Sequence, residues 1–184
     1  ILLSRTLNII STIKSRTIKF HLSGMNNEEL GVSKEIYYFF DGNENDILEF
    51  KRQNLSLDDI KFQINTVEDI LQIVTEMKNY VSGEFAVKNS LDLTIKYNKS
   101  IELIARRIRF WELENVYFFI NEIENKLKKE REFLIGFLSK IIINAKNSVE
   151  TEDLKNLINL KNSIRNNVNI KSVLFNFFDI LQNS

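Results

Sequence analysis

From Thr66 to the end of the chain, apolar residues return every three or four positions. In "VEDILQIVTEMKNYV" the stripe is Val67, Ile70, Leu71, Val74, Met77 and Val81, the spacing of one helix face. Thr66 is placed to cap it, and Glu68 and Asp69 suit its positive first turn. A second helical region is expected from Gly83 to about Trp111, with Leu91, Ile95, Ile101, Leu103, Ile104 and Ile108 apolar. A third runs from Leu113 to about Ser148, with a break near Lys128 to Glu130. "ETEDLKNLINLKNSIRNN" and "NIKSVLFNFFDIL" supply the last two helices.

Upstream the helices are shorter. "NNEEL" predicts one that stops near Gly31, "SKEIYYFFDG" one capped by Ser33, and "ENDILEFKRQ" a third. The first 22 residues read differently. "ILL" is a strand candidate and "TLNIISTI" one or two helical turns. In "RTIKFHL", Ile18, Phe20 and Leu22 alternate with Lys19 and His21, the period of a strand. Two such strands cannot form a stable sheet alone, so they are expected to need partners beyond this stretch. The pattern therefore predicts a mainly α protein. It has a bundle of five or six helices, preceded by a small helical unit and a remnant of an α/β domain. A composition shift near Asn54 to Ser56 marks the expected boundary.

Composition sharpens this picture in a few places. Pro is absent and Gly occurs five times in 184 residues, which favours long helices. Lys plus Arg and Asp plus Glu number 25 each, so no net field selects nucleic acid or an anionic membrane. With no Cys, disulfide and thiolate chemistry are excluded. No apolar run reaches the ~20 residues of a membrane span. "SVLFNFFDIL" is broken by Asn176 and Asp179, and Arg5 interrupts "ILLSRTLNII". A soluble, cytoplasmic protein is the expectation.

Catalytic motifs are scarce. No phosphate-cradling G-x-x-x-x-G-K-[ST] occurs, and the single histidine, His21, reads as a surface residue of its strand. Glu112 with Glu114, and Glu122 with Glu124, are spaced by two, which puts each pair on different helix faces. "ARRIRFW" sets Arg106, Arg107 and Arg109 beside Phe110 and Trp111, a pattern able to grip phosphates and stack bases. Pairing with Glu102 and Glu112 is expected to neutralise much of it, which favours a structural or subunit-contact role.

"ISTIKSRTIKFHL" resembles the end of the ATPase core in clamp-loader subunits of bacterial DNA polymerase III, through Thr12, Ile13, Ser15 and Arg16. Thr17 stands where that family has Cys. The resemblance implies that Arg16, presented with Ser15, is an arginine finger acting on ATP held by a neighbouring subunit. An always-charged planar guanidinium at a rigid strand mouth suits that task. "YYFFDGNENDILEF" is similar to the family's lid, where ATP-binding members carry an Arg just after the Gly. Asn43 to Asp46 contain none. That departure implies a delta-prime subunit rather than a gamma/tau ATPase. "LKNSIRNNVNIKSVLFNFFDIL" is similar to the closing pair of collar helices, with Arg165, Asn167, Val168 and Asn169 at the joint and Leu174, Phe177, Phe178 and Leu181 on the final apolar face.

The resemblance divides the chain into the last strands of an AAA+ core (1–22), a helical lid (23–53) and a helical collar (54–184), and implies that Ile1 lies inside a larger protein. It implies a DNA replication role with no membrane partner. The other clamp-loader subunits, gamma/tau and delta, are met through the collar, and the sliding clamp and primed DNA through the assembly. No cofactor is expected in this chain, ATP and Mg belonging to neighbouring subunits, and no catalytic activity is expected from the chain alone. A gamma/tau ATPase fragment, and a helical scaffold or nucleic-acid-binding protein unrelated to clamp loading, remain as alternatives.

Overall fold

Four of the eight described helices begin at a side chain that accepts the first free amides. The computed structural model describes residues 24–57, 64, 66–83, 90–166 and 168–184. The expected terminal strands, with Ser15, Arg16 and His21, lie outside the described residues. Among the described residues there are eight α-helices and no strand. They are α1 (Lys34–Phe39), α2 (Glu44–Arg52), α3 (Val67–Val81), α4 (Ser90–Arg107), α5 (Leu113–Leu127), α6 (Arg131–Ala145), α7 (Thr151–Ser163) and α8 (Ile170–Asn183). A 3₁₀ turn, Ile108–Phe110, follows α4. Ser33, Asn43, Thr66 and Asn169 cap α1, α2, α3 and α8 through their side chains. At Thr66 the cap is reciprocal: its hydroxyl accepts from Asp69 N–H, and the Asp69 carboxylate accepts from Thr66 N–H.

One expected helix is not formed. "NNEEL" makes a single turn, closed by Leu30 N–H donating to Asn26 O at 3.1 Å. The start signal is real, because the Asn26 side chain accepts from the Glu28 and Glu29 amides. Gly31, at φ +62°, reverses the chain before a second turn can follow. A second tight reversal joins α1 to α2, where Asp41 and Gly42 are both left-handed, at φ 51° and 68°. Gly42 is required there for a further reason: a Cβ would sit 2.8 Å from the Tyr37 hydroxyl.

Two apolar clusters form the interior. The larger draws on α3 to α8. Its centre is a run of edge-to-face rings, Trp111 on Phe119 at 5.5 Å, Phe119 on Phe178 at 5.5 Å and Phe178 on Phe177 at 5.3 Å. Trp111 O lies near Gln182 while Tyr117 meets Phe175, so α5 and α8 run antiparallel. The helix α6 is buried along most of its length, with Leu134, Ile135, Phe137, Leu138, Ile141 and Ile142 all inside. The smaller cluster joins Leu30, Phe40, Ile47 and Phe50 to Leu91 and Ile95. Helix α4 thus belongs to both: its first turns pack on the α1–α2 pair, and Tyr97, Ile101 and Ile104 continue into the larger core.

Candidate functional site

Three groups of polar side chains stand out against this apolar interior. The first joins the helix pair to the bundle. Asn98 is buried in α4, and its amide donates to Phe39 O at 2.7 Å. Lys140, a lone cation in the middle of α6, donates to the Asn98 carbonyl oxygen at 2.7 Å and pairs with Asp41 in the left-handed turn. Its ammonium also lies 5.4 Å from the centre of the Tyr97 ring. Burial, with the Asp41 charge adding to it, pushes the Tyr97 hydroxyl well above its ordinary value, so it stays neutral. Nearby Asp46 is also raised by burial, an effect that Thr94 and Lys140 offset only in part.

Beside this group lies a cleft of about 200 Å³, edged by Glu35, Tyr38, Asn144 and Ile143. Asn98, Lys140 and Asp41 are paired with one another or with Phe39 O. The arrangement fastens the α1–α2 pair to the bundle. Asn98→Ala is expected to lower stability by about 2–3 kcal/mol, because it strips a partner from both the Phe39 carbonyl and Lys140. Urea unfolding with an unchanged slope measures this, and a loss under about 0.5 kcal/mol would make the fastening incidental.

The second group holds the joint between α7 and α8. Arg131 donates to Ile164 O at 3.0 Å and Asn166 O at 2.8 Å, satisfying carbonyls at the end of α7. Asn169 then restarts the chain by accepting from Ser172 N–H at 3.1 Å. Arg165 lies 3.7 Å from Glu132, both side chains largely exposed. Val168 packs against the main core, and Asn167 lies outside the described residues.

The third group overturns an expectation. Glu102 pairs with Lys99 at 3.2 Å, leaving it to no arginine. Glu112 flanks the start of α5 without an ion pair to Arg109. Among the described residues, Arg106, Arg107 and Arg109 are all exposed and make no ion pair. The 3₁₀ turn does not need them either, because Gln182 donates to Ile108 O at 3.5 Å and Trp111 O at 3.3 Å. Arg109 lies 5.2 Å from the ring centre of Phe110, which is 76% exposed.

Asn98, Arg131 and Lys140 were not singled out from sequence. The one local signal was a charge inside the apolar run "FLSKIII". Among the described residues no cluster of three or more His, Asp or Glu could hold a metal ion, and no helix is long and apolar enough to cross a membrane. No family model matches the chain, and neither the curated proteins nor the solved structures contain a match to it.

Proposed function

We propose that the chain is a clamp-loader subunit of the delta-prime kind, working in the cytoplasm inside an ATPase ring that places a sliding clamp on primed DNA. The observation that carries this reading is the order of elements: a short helical pair, then a six-helix bundle whose last helix restarts from Asn169. That is the order of lid and collar implied by the resemblance at "STIKSRT", "YYFFDGNENDILEF" and "RNNVN".

A local detail supports delta-prime over a gamma/tau ATPase. The position after Gly42, where ATP-binding members of the family carry Arg, is held by Asn43. Its side chain is committed to capping α2, accepting from Asn45 and Asp46 N–H. In this reading the bundle is the collar that meets gamma/tau and delta, and exposed apolar side chains such as Leu113, Ile143 and Ile158 supply contact area. Arg16, presented with Ser15, reaches ATP and Mg bound by a neighbour.

Assembly tests the reading. A polypeptide carrying this chain, mixed with ATPase and delta subunits of the same source, should co-elute with them and restore clamp loading on primed DNA. Failure to enter a complex, or ATP turnover by the pure chain, would overturn it.

A further inference from the structure

The seam between the α1–α2 pair and the bundle changes character along α4. At its start the seam is apolar: Leu91 and Ile95 close over Leu30, Phe40, Ile47 and Phe50. Further along it is polar. Asn98 donates across it to Phe39 O, and Lys140 reaches across from α6 to Asp41 at 2.5 Å. Thr94 hydrogen-bonds Asp46 of α2. The cleft of about 200 Å³ runs beside this polar stretch, with Glu35, Tyr38 and Asp41 contributed by the pair and Glu102, Lys140 and Asn144 by the bundle.

From this arrangement we infer that the α1–α2 pair is a releasable unit, which leaves α4 while the bundle stays folded, and that the Lys140 ammonium is its latch. The large cluster of α3 to α8 includes no residue of the pair, so release removes nothing from it. The pair is the weaker side. Its helices have six and nine residues, too short to persist in water without packing. Tyr97, Ile101 and Ile104 hold α4 in the bundle, so the seam yields between α4 and the pair. The latch rests on one charge with two ties. Lys140 pairs with Asp41 and also holds the carbonyl of Asn98, whose amide carries Phe39 O. The Asp41 side chain is 54% exposed and that of Lys140 24%, so salt reaches the pair and weakens it. Asp46 opposes the latch. Burial raises its carboxyl above the ordinary value, and the ionised form regains water on release. The docked form remains the ground state, so global unfolding still includes the whole seam. The inference depends on neither Arg16 nor ring assembly, so it stands or falls apart from the reading above.

Native-state hydrogen exchange of the 184-residue chain tests it, read by mass spectrometry over α1–α2 and over α8. Corrected for intrinsic rates, wild-type α1–α2 amides should exchange at least tenfold faster than those of α8. Asp41→Asn removes the charge and suits the turn, because Asn tolerates the left-handed φ of 51°. It should speed α1–α2 exchange about threefold and leave α8 unchanged. Lys140→Met keeps an apolar stem but takes the partner from both Asp41 and Asn98. It should speed α1–α2 about tenfold or more, again without α8. Raising NaCl from about 0.05 to about 0.5 M should speed α1–α2 in the wild type, and neither variant should respond. A residue that only supports the fold would move both segments together and give no such salt response. Four results would overturn the inference: equal protection of α1–α2 and α8 in the wild type, equal acceleration of both by Lys140→Met, no acceleration in either variant, or a salt response that is absent from the wild type or persists in Asp41→Asn.

Discussion

Phe178→Ala should cost the fold about 3–5 kcal/mol, the range for truncating a fully buried Phe. The ring has no measurable exposure and packs edge-to-face on both Phe119 and Phe177. Removing it takes away its own transfer from water and leaves two rings facing a void. The void cannot close easily, because Phe119 is held from its far side by Trp111 and α8 is tied to the 3₁₀ turn through Gln182. Urea unfolding read by linear extrapolation gives the number. Should the alanine variant fail to fold, Phe178→Leu keeps most of the volume and should show a smaller loss in the same direction. A Phe178→Ala cost below about 1.5 kcal/mol would mean that the ring run is loosely packed. Phe110→Ala supplies the contrast, since an exposed ring at the surface should shift stability by no more than about 0.5 kcal/mol.

In the clamp-loader ring proposed above, Arg16→Ala should reduce ATP turnover on the order of 10³-fold while the subunits still co-elute. The reasoning runs from charge. Phosphoryl transfer spreads negative charge over the equatorial oxygens, and a guanidinium supplied from the next subunit is matched to the transition state more than to bound ATP. The loss should therefore fall on kcat, with little change in the nucleotide concentration giving half-maximal rate. Arg16→Lys keeps the charge but not the planar fork, so it should recover only part of the rate. Unchanged turnover in Arg16→Ala rings would remove Arg16 from the chemistry and leave only the proposed assembly role of the bundle.

What could be read from the sequence divides by distance along the chain. Caps were legible at Ser33 and Thr66 because donor and acceptor lie three residues apart. The stripes were legible for the same reason: Ile70, Leu71 and Val74 of α3, and Leu174, Phe177, Phe178 and Leu181 of α8, are all buried. The break near Lys128 to Glu130 also falls between α5 and α6. Asn98 and Lys140 were not legible, since their partners lie 59 and 42 residues away and nothing local marks either pairing. The arginine pairings failed for a related reason. Glu102 has two cations within helical reach, and spacing alone cannot decide that Lys99 takes it. At "NNEEL" a correct start signal was outweighed by a stop two residues after the second glutamate. The chemistry proposed for Ser15 and Arg16 belongs to residues outside the described part, so it rests on the sequence motif.

The shared ownership of α4 has a mechanical meaning. An α-helix of 18 residues is about 27 Å long. This one is gripped at its first turns by the α1–α2 pair, through Leu91, Ile95 and the Asn98 amide, and at its other end by the bundle. A rod clamped at both ends does not absorb a push; it transmits it. The helix pair and the bundle are thus held by one continuous rigid element, so the pair cannot shift without loading the contacts of α4 in the bundle.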